Sequence, residues 1–250
     1  RARAALPALC RRATQALTIY VHIPFCIQKC GYCDFNAYLY RHDATPAYLT
    51  ALRCEIEHTA SERPWMGYTV PSVYFGGGTP STLAPADLTN LLRLIRDSFP
   101  VSADAEITLE ADPGTIDLVS LEALRAGGFN RISIGVQAFH DGLLHGLDRL
   151  HSAADARSVL VLARQAGFMD LNLDLMFGLP GQSLPAWERS LHEALAFTPT
   201  HMSVYGLSIE ERTPFHRRQQ LGKITLPDEE EQVAMFERAD QLLASAGYTH

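Results

Sequence analysis

Six times along its length the chain repeats one pattern: a short run rich in β-branched and aromatic residues, then a longer stretch with apolar residues at helical spacing. Such alternation builds parallel βαβ units, because a parallel strand needs a long crossover before the next can lie beside it. The strands are expected at 17–23, 72–75, 105–113, 131–137, 170–180 and 201–208. The helices are expected near 46–60, 85–97, 116–126, 154–167, 185–197 and 228–247. Leu88, Leu91, Leu92 and Ile95 fall on one face of the second helix; "TP" opens the first, and Gly127 and Gly128 stop the third. Nothing linker-like interrupts residues 17–250, which are expected to form one domain. Six units are two short of a closed (β/α)8 barrel. The expected fold is therefore α/β: a partial (β/α)6 TIM-like barrel of parallel strands and outer helices, with one uncovered side. The closing "GYTH" reads as the start of a further strand.

Composition narrows the function classes. With 47% hydrophobic and 20% charged residues, the 250-residue chain has the balance of a water-soluble globular protein with a sizeable core. Its net charge of −7 argues against a dedicated nucleic-acid binder. No acidic residue precedes Asp34, so the negative charge lies wholly beyond it. Five cysteines without a paired framework point to a reducing compartment, here the cytoplasm. The first sixteen residues, "RARAALPALCRRATQA", read as a disordered tail; a transit-peptide remnant, and with it a mitochondrial location, is the alternative. No apolar run approaches the ~18–20 residues of a membrane span.

The unusual residues gather at the C-terminal ends of the expected strands. Cys26, Cys30 and Cys33 follow the first, Gly76–Gly78 the second, and Glu110, Gln137 and Asp174 belong to the third, fourth and fifth. In α/β barrels that rim is where ligands bind. The Cys-x3-Cys-x2-Cys spacing admits a zinc site completed by His22 or His42, a 4Fe–4S cluster with one iron left without a protein ligand, or three unrelated thiols. The glycines let a backbone approach a ligand closely, or simply make a tight turn. Glu110 and Asp174 stand in otherwise apolar strands, where an unpaired charge is costly; pairing with Arg131 or Arg149 would offset it. Tyr20 reads equally well as a core aromatic. His140, His145 and His151 read as solvated, Trp65 and Trp187 as packing, and Cys54 as a bystander.

The cysteine spacing resembles the signature of the radical S-adenosylmethionine (SAM) superfamily. The wider frame "YVHIPFC…CGYCDFN", with "YFGGGTPSTL", "LEADPG", "RISIGVQAF", "DRLH" and "NLDLMFGLPGQ", resembles the oxygen-independent coproporphyrinogen III oxidase-like family. That resemblance implies a 4Fe–4S cluster on Cys26, Cys30 and Cys33, whose open iron takes SAM and cleaves it reductively to a 5′-deoxyadenosyl radical. It also implies SAM contacts from Gly77, Gly78 and Thr79 at the methionine end, Glu110 at a nucleoside hydroxyl, and Gln137, Arg149 and Asp174. Tyr20 and Tyr32 resemble the family's aromatic SAM contacts.

Two branches of that family differ at one position. The oxidases carry a further cysteine two residues after the third; here that residue is Phe35. Little precedes Leu17, where the oxidases have a longer segment. Both departures resemble the heme-chaperone (HemW-type) branch. This implies heme or porphyrin as cargo, an apo-hemoprotein acceptor and an electron donor such as a flavodoxin or ferredoxin; the C-terminal accessory domain of that branch is expected to be absent from this chain. Oxygen-independent coproporphyrinogen III oxidation, within porphyrin biosynthesis, is the alternative activity.

Overall fold

The computed structural model describes residues 15–62, 65 and 67–250. In chain order it runs β1 (Gln15–Ile23), β2 (Phe25–Cys26), β3 (Tyr38–Leu39), α1 (Thr45–Ser61), β4 (Tyr68–Gly77) and α2 (Pro85–Ser98). There follow β5 (Val101–Ala111), α3 (Leu118–Ala126), β6 (Arg131–Gln137), α4 (Asp141–Gly146) and α5 (Ala153–Gln165). The last elements are β7 (Asp170–Phe177), α6 (Leu184–Ala196), β8 (His201–Gly206), α7 (Pro214–Gln220) and α8 (Glu229–Ser245). The expected tail, residues 1–16, lies outside the described residues except for Gln15 and Ala16, which open β1.

Six strands form one parallel sheet in the order β1-β4-β5-β6-β7-β8, so each crossover lays its strand beside the previous one. The sheet curls into a half-barrel with helices around it, as the six βα units implied. Side-chain alternation within the strands gives the sheet two unlike faces. Ile132, Ile134 and Val136 of β6 and Leu171, Leu173 and Leu175 of β7 are fully buried. The alternate positions carry Ser133, Gly135 and Gln137 on β6 and Asn172 and Asp174 on β7. One face thus packs under helices while the other lines a polar interior.

The helix-side core holds Leu88, Leu91, Leu92 and Ile95 of α2, with Phe75 meeting Phe129 at 5.1 Å between ring centres. Trp187 is fully buried and donates its Nε1–H to the Met235 carbonyl at 2.8 Å, tying α6 to α8. A smaller apolar cluster sits at the rim, where α4 and α7 supply Leu143, Leu144 and Phe215 and Tyr32 packs against them.

Two differences from the expected elements have local causes. β4 starts at Tyr68 rather than Ser72 because the strand continues through Pro71, whose missing N–H is absorbed by register shifts beside it in both neighbouring ladders. Thr45-Pro46 opens α1 as the sequence implied, with Thr45 donating its hydroxyl to the Arg41 carbonyl. The short helices α4 and α7 were not anticipated, although Thr213-Pro214 carries a start signal: Thr213 caps α7 by accepting from the His216 N–H.

Candidate functional site

β1 delivers the chain to the rim at Ile23, and the next residues are pinned by backbone hydrogen bonds on two sides. The Gly78 N–H donates to the Ile23 carbonyl and the Thr79 N–H to that of Phe25, while the Tyr38 and Tyr40 N–H groups donate to Pro24 and Cys26. Between these anchors lies the cysteine loop. Lys29 Nζ folds across it onto the Phe35 carbonyl at 3.0 Å. Gly78 has a specific reason to be glycine: a Cβ there would stand 2.8 Å from the Phe25 oxygen and 3.0 Å from Cys26 Sγ. Gly77 adopts φ +122°, a conformation that side chains rarely tolerate.

Cys26 is buried, Cys30 and Cys33 are half-buried, and all three are free thiols. Thr79 Oγ1 donates to Cys26 Sγ and Arg149 Nη1 to Cys30 Sγ, each at 3.5 Å. Burial pushes the Cys26 thiol pKa up, against the opposing effect of the Thr79 hydrogen bond. The three cysteines line one cavity of about 290 Å3 together with Tyr32, Gly77, Gly78, Thr79, Glu110, Gln137, Arg149 and Asp174. Every residue singled out from the sequence as a cluster or SAM contact is therefore brought together, with one exception. Tyr20 is not among the lining residues; it stacks on Tyr74 at 6.1 Å, with its hydroxyl 3.1 Å from His22 Nδ1.

The two rim carboxylates take their hydrogen bonds from groups other than arginine. Glu110 accepts from Tyr74 Oη at 2.7 Å and from the Gly77 N–H at 3.0 Å. Asp174 accepts from Asn172 Nδ2 at 2.7 Å, with Ser133 Oγ at 3.4 Å. Burial pushes both carboxyl pKa values above their ordinary range, with these hydrogen bonds working in the opposite direction. The ion pairs weighed for them go elsewhere. Arg131 faces Glu106 at 3.9 Å, and Arg149 pairs with Asp112 while donating to the Gly135 carbonyl at 2.8 Å.

Sequence reasoning missed Asp112 and Tyr205 as lining residues. Tyr205, on β8, donates its hydroxyl to Gln137 Oε1 at 2.8 Å, and Gln137 itself holds φ +63° at the end of β6. The rim-position argument that found the other strand-end residues applies equally to Tyr205. Asp112 follows β5 directly and was visible only as part of "LEADPG".

The donor set suits an iron–sulfur cluster, with three cysteines of one loop lining a shared cavity. Among the described residues, no three His, Cys, Asp or Glu side chains converge as ligands of one metal ion. A 4Fe–4S cluster takes one thiolate at each ligated iron, so its ligands need not meet at a point. The glycine-lined approach to Cys26 and the Arg149 donor at Cys30 suit thiolates held around a larger group.

Fold and rim together define a parallel α/β half-barrel protein with a three-cysteine site at the C-terminal ends of its strands. The sequence profile of the Radical SAM superfamily matches residues 20–194. The chain belongs to that superfamily. The heme chaperone HemW of Escherichia coli (strain K12) is 40% identical over 233 residues, covering 93% of this chain and 60% of that protein. The heme chaperone HemW of Mycobacterium tuberculosis is 37% identical over 252 residues, with coverages of 97% and 63%. The solved structure of coproporphyrinogen III oxidase (HemN) from Escherichia coli, described as a radical SAM enzyme, superposes with a TM-score of 0.84 at 33% identity. It covers 95% of this chain and 54% of that one. The chain thus spans about three fifths of the length of the curated relatives it matches. Among the described residues no helix is long and apolar enough to cross a membrane.

Proposed function

We propose that this chain is the cluster- and SAM-binding core of a heme chaperone, which holds heme and passes it to an apo-hemoprotein in the cytoplasm. The observation that carries the reading is the disposition of Cys26, Cys30 and Cys33. Three free thiols from one loop face a shared cavity, and Phe35 stands where the related oxidases place another cysteine. Similarity to proteins named heme chaperone HemW supports the same branch. Cys26, Cys30 and Cys33 would hold a 4Fe–4S cluster, which would offer one iron to the amino and carboxylate groups of SAM and would pass on the electron needed to cleave its sulfonium.

The surrounding residues suit SAM at that position. Gly77, Gly78 and Thr79 offer backbone and hydroxyl groups to its methionine end, and Glu110 accepts from a nucleoside hydroxyl. Tyr32, Gln137, Arg149 and Asp174 complete the cavity wall. Residues 17–250 act as one radical SAM domain in this reading, and a flavodoxin or ferredoxin supplies the electron.

Anaerobic reconstitution with iron and sulfide, followed by electron paramagnetic resonance with and without SAM and by heme titration, tests this. A cluster signal that changes on SAM addition, together with stoichiometric heme binding, is expected. A colourless, iron-free product would refute it. The close superposition on coproporphyrinogen III oxidase favours a second reading, in which the protein decarboxylates propionate side chains to vinyl groups. Incubation with coproporphyrinogen III, SAM and a reductant separates the two, since the chaperone leaves that substrate unchanged.

A further inference from the structure

The cysteine loop is gripped from outside its cavity by residues more than a hundred positions away. Phe215, in the first turn of α7, donates its backbone N–H to the Gly31 carbonyl at 2.9 Å. Its ring is fully buried and meets Tyr32 edge-on at 6.0 Å. On the other side stands Asp148, in a left-handed conformation at φ +58° that aspartate tolerates better than most residues. The Asp148 carbonyl accepts from Gln28 Nε2 at 2.7 Å, and its carboxylate pairs with Arg218 Nη2 at 2.7 Å. Arg218 lies over the Phe215 ring at 5.3 Å, closing the circuit.

Gly31 is the point where these groups meet. A Cβ at that position would stand 2.8 Å from two Phe215 ring carbons and collide with the Asp148 carboxylate. The loop therefore fits against Phe215 and Asp148 only with a bare Cα between Cys30 and Tyr32. None of Asp148, Phe215 and Arg218 lines the cavity shared by the three thiols. Their contacts run instead to Gln28, Gly31 and Tyr32, which flank and separate the cysteines. An eight-residue loop that must hold three thiolates at fixed separations loses much conformational entropy on ordering. Contacts that order it beforehand lower the cost of binding the cofactor.

We propose that Asp148, Phe215 and Arg218 form a latch that preorganises the cysteine loop, so that retention of the iron–sulfur cluster depends on the segment following β8. The proposal rests on the cluster reading given above. All three act as positioning residues, through the loop backbone and its neighbours.

The test compares wild type with Arg218→Ala, Arg218→Lys, Asp148→Asn and the Asp148→Asn/Arg218→Ala double variant. Arg218 is partly solvent-exposed, so its truncation leaves the core intact. Iron release from reconstituted protein to a chelator is expected to be roughly tenfold faster in Arg218→Ala and in Asp148→Asn, the lower range for outer-shell partners of a metal site. The double variant is expected to be no worse than the poorer single one, because both remove the same contact. Arg218→Lys is expected to recover part of the retention, having the charge without the fork. Amide hydrogen exchange on the iron-free chain is expected to quicken at residues 26–35 in Arg218→Ala while the melting temperature stays within a few degrees. Unchanged iron release and unchanged loop exchange, or an additive double variant, would overturn the latch. If the wild type itself takes up no iron, the cluster reading fails, and loop exchange alone still decides between latch and no latch.

Discussion

Arg149 bridges a carboxylate and a cysteine: Nη1 donates to Cys30 Sγ at 3.5 Å, while Nη2 binds Asp112 and the Gly135 carbonyl. Its side chain is only 8% exposed, so the three acceptors replace water almost completely. Removing the guanidinium leaves Asp112 beside a cavity without its cation. Arg149→Ala is expected to destabilise the iron-free chain by about 3 kcal/mol, the lower end for breaking a buried pair. Much of that loss is the cost of the stranded carboxylate, so adding Asp112→Asn should restore part of it. Urea unfolding of the single and double variants checks both expectations. A double variant no more stable than Arg149→Ala alone would sink the account.

Glu110 carries a conflict between stability and binding. Burial raises its carboxyl pKa above the ordinary 4.5, with the Tyr74 and Gly77 donors opposing that effect. A folded-state pKa above the unfolded one means that the unfolded chain releases its proton first. The group's contribution to stability is then complete below pH 4.5 and lost as pH rises through the folded value. Glu110→Gln removes that loss. The variant should gain stability relative to wild type as pH is raised from 4 to 7, read by urea midpoints at each pH. On the proposed SAM contact it should bind SAM roughly tenfold more weakly, the worth of one charge-assisted hydrogen bond.

Some of the site was legible in the sequence because strand ends converge. Cys26, Cys30, Cys33, Glu110, Gln137 and Asp174 needed only a correct strand count to be placed on one rim, and each lines the cavity. Tyr20 pairs in register with Tyr74, three positions before Gly77, and so lies beneath the residues that line the cavity. The partners of Glu110 were missed because they depend on cross-strand register: Tyr74 reaches it from the neighbouring strand, which arginine bookkeeping along the sequence does not reveal. The contact between Gly31 and Phe215 is set by how α7 returns to the rim, a tertiary relationship with no local signature.

Gly78 should be among the positions least able to change. A methyl group there meets the Phe25 carbonyl, part of the backbone that pins the loop, and the Cys26 sulfur itself. Neither is the free end of a flexible chain, so one of them must move. Gly78→Ala is expected to retain its helical circular dichroism but to hold less than half the iron of wild type after reconstitution, an order-of-magnitude expectation from outer-shell losses at metal sites. Gly146→Ala is the control, since a Cβ there meets nothing within 4 Å. Equal iron in the two variants would show that the close approach at Gly78 is incidental.

His151 sets a pH dependence of the opposite sign to that of Glu110. It is buried, with Nε2 donating to the Val136 carbonyl at 3.2 Å and Nδ1 facing Asp112 at 3.9 Å. The second distance would allow an ion pair with a protonated ring. Arg149 holds Asp112 much more closely, however, and burial together with the Arg149 charge pushes the His151 pKa down to about 4. The ring is therefore neutral at pH 7. In the unfolded chain it protonates near pH 6.5, before the folded state does, so stability falls as pH drops from 6.5 toward 4. A depression of that size corresponds to about 3.5 kcal/mol at most, at about 1.4 kcal/mol per pH unit. His151→Gln can keep a donor to the Val136 carbonyl without a titrating group. Its unfolding free energy should be less sensitive to pH between 6.5 and 4 than that of wild type, with the two curves diverging toward the acid end. Parallel curves across that window would mean that His151 titrates alike in both states and that its burial beside Arg149 has no energetic consequence.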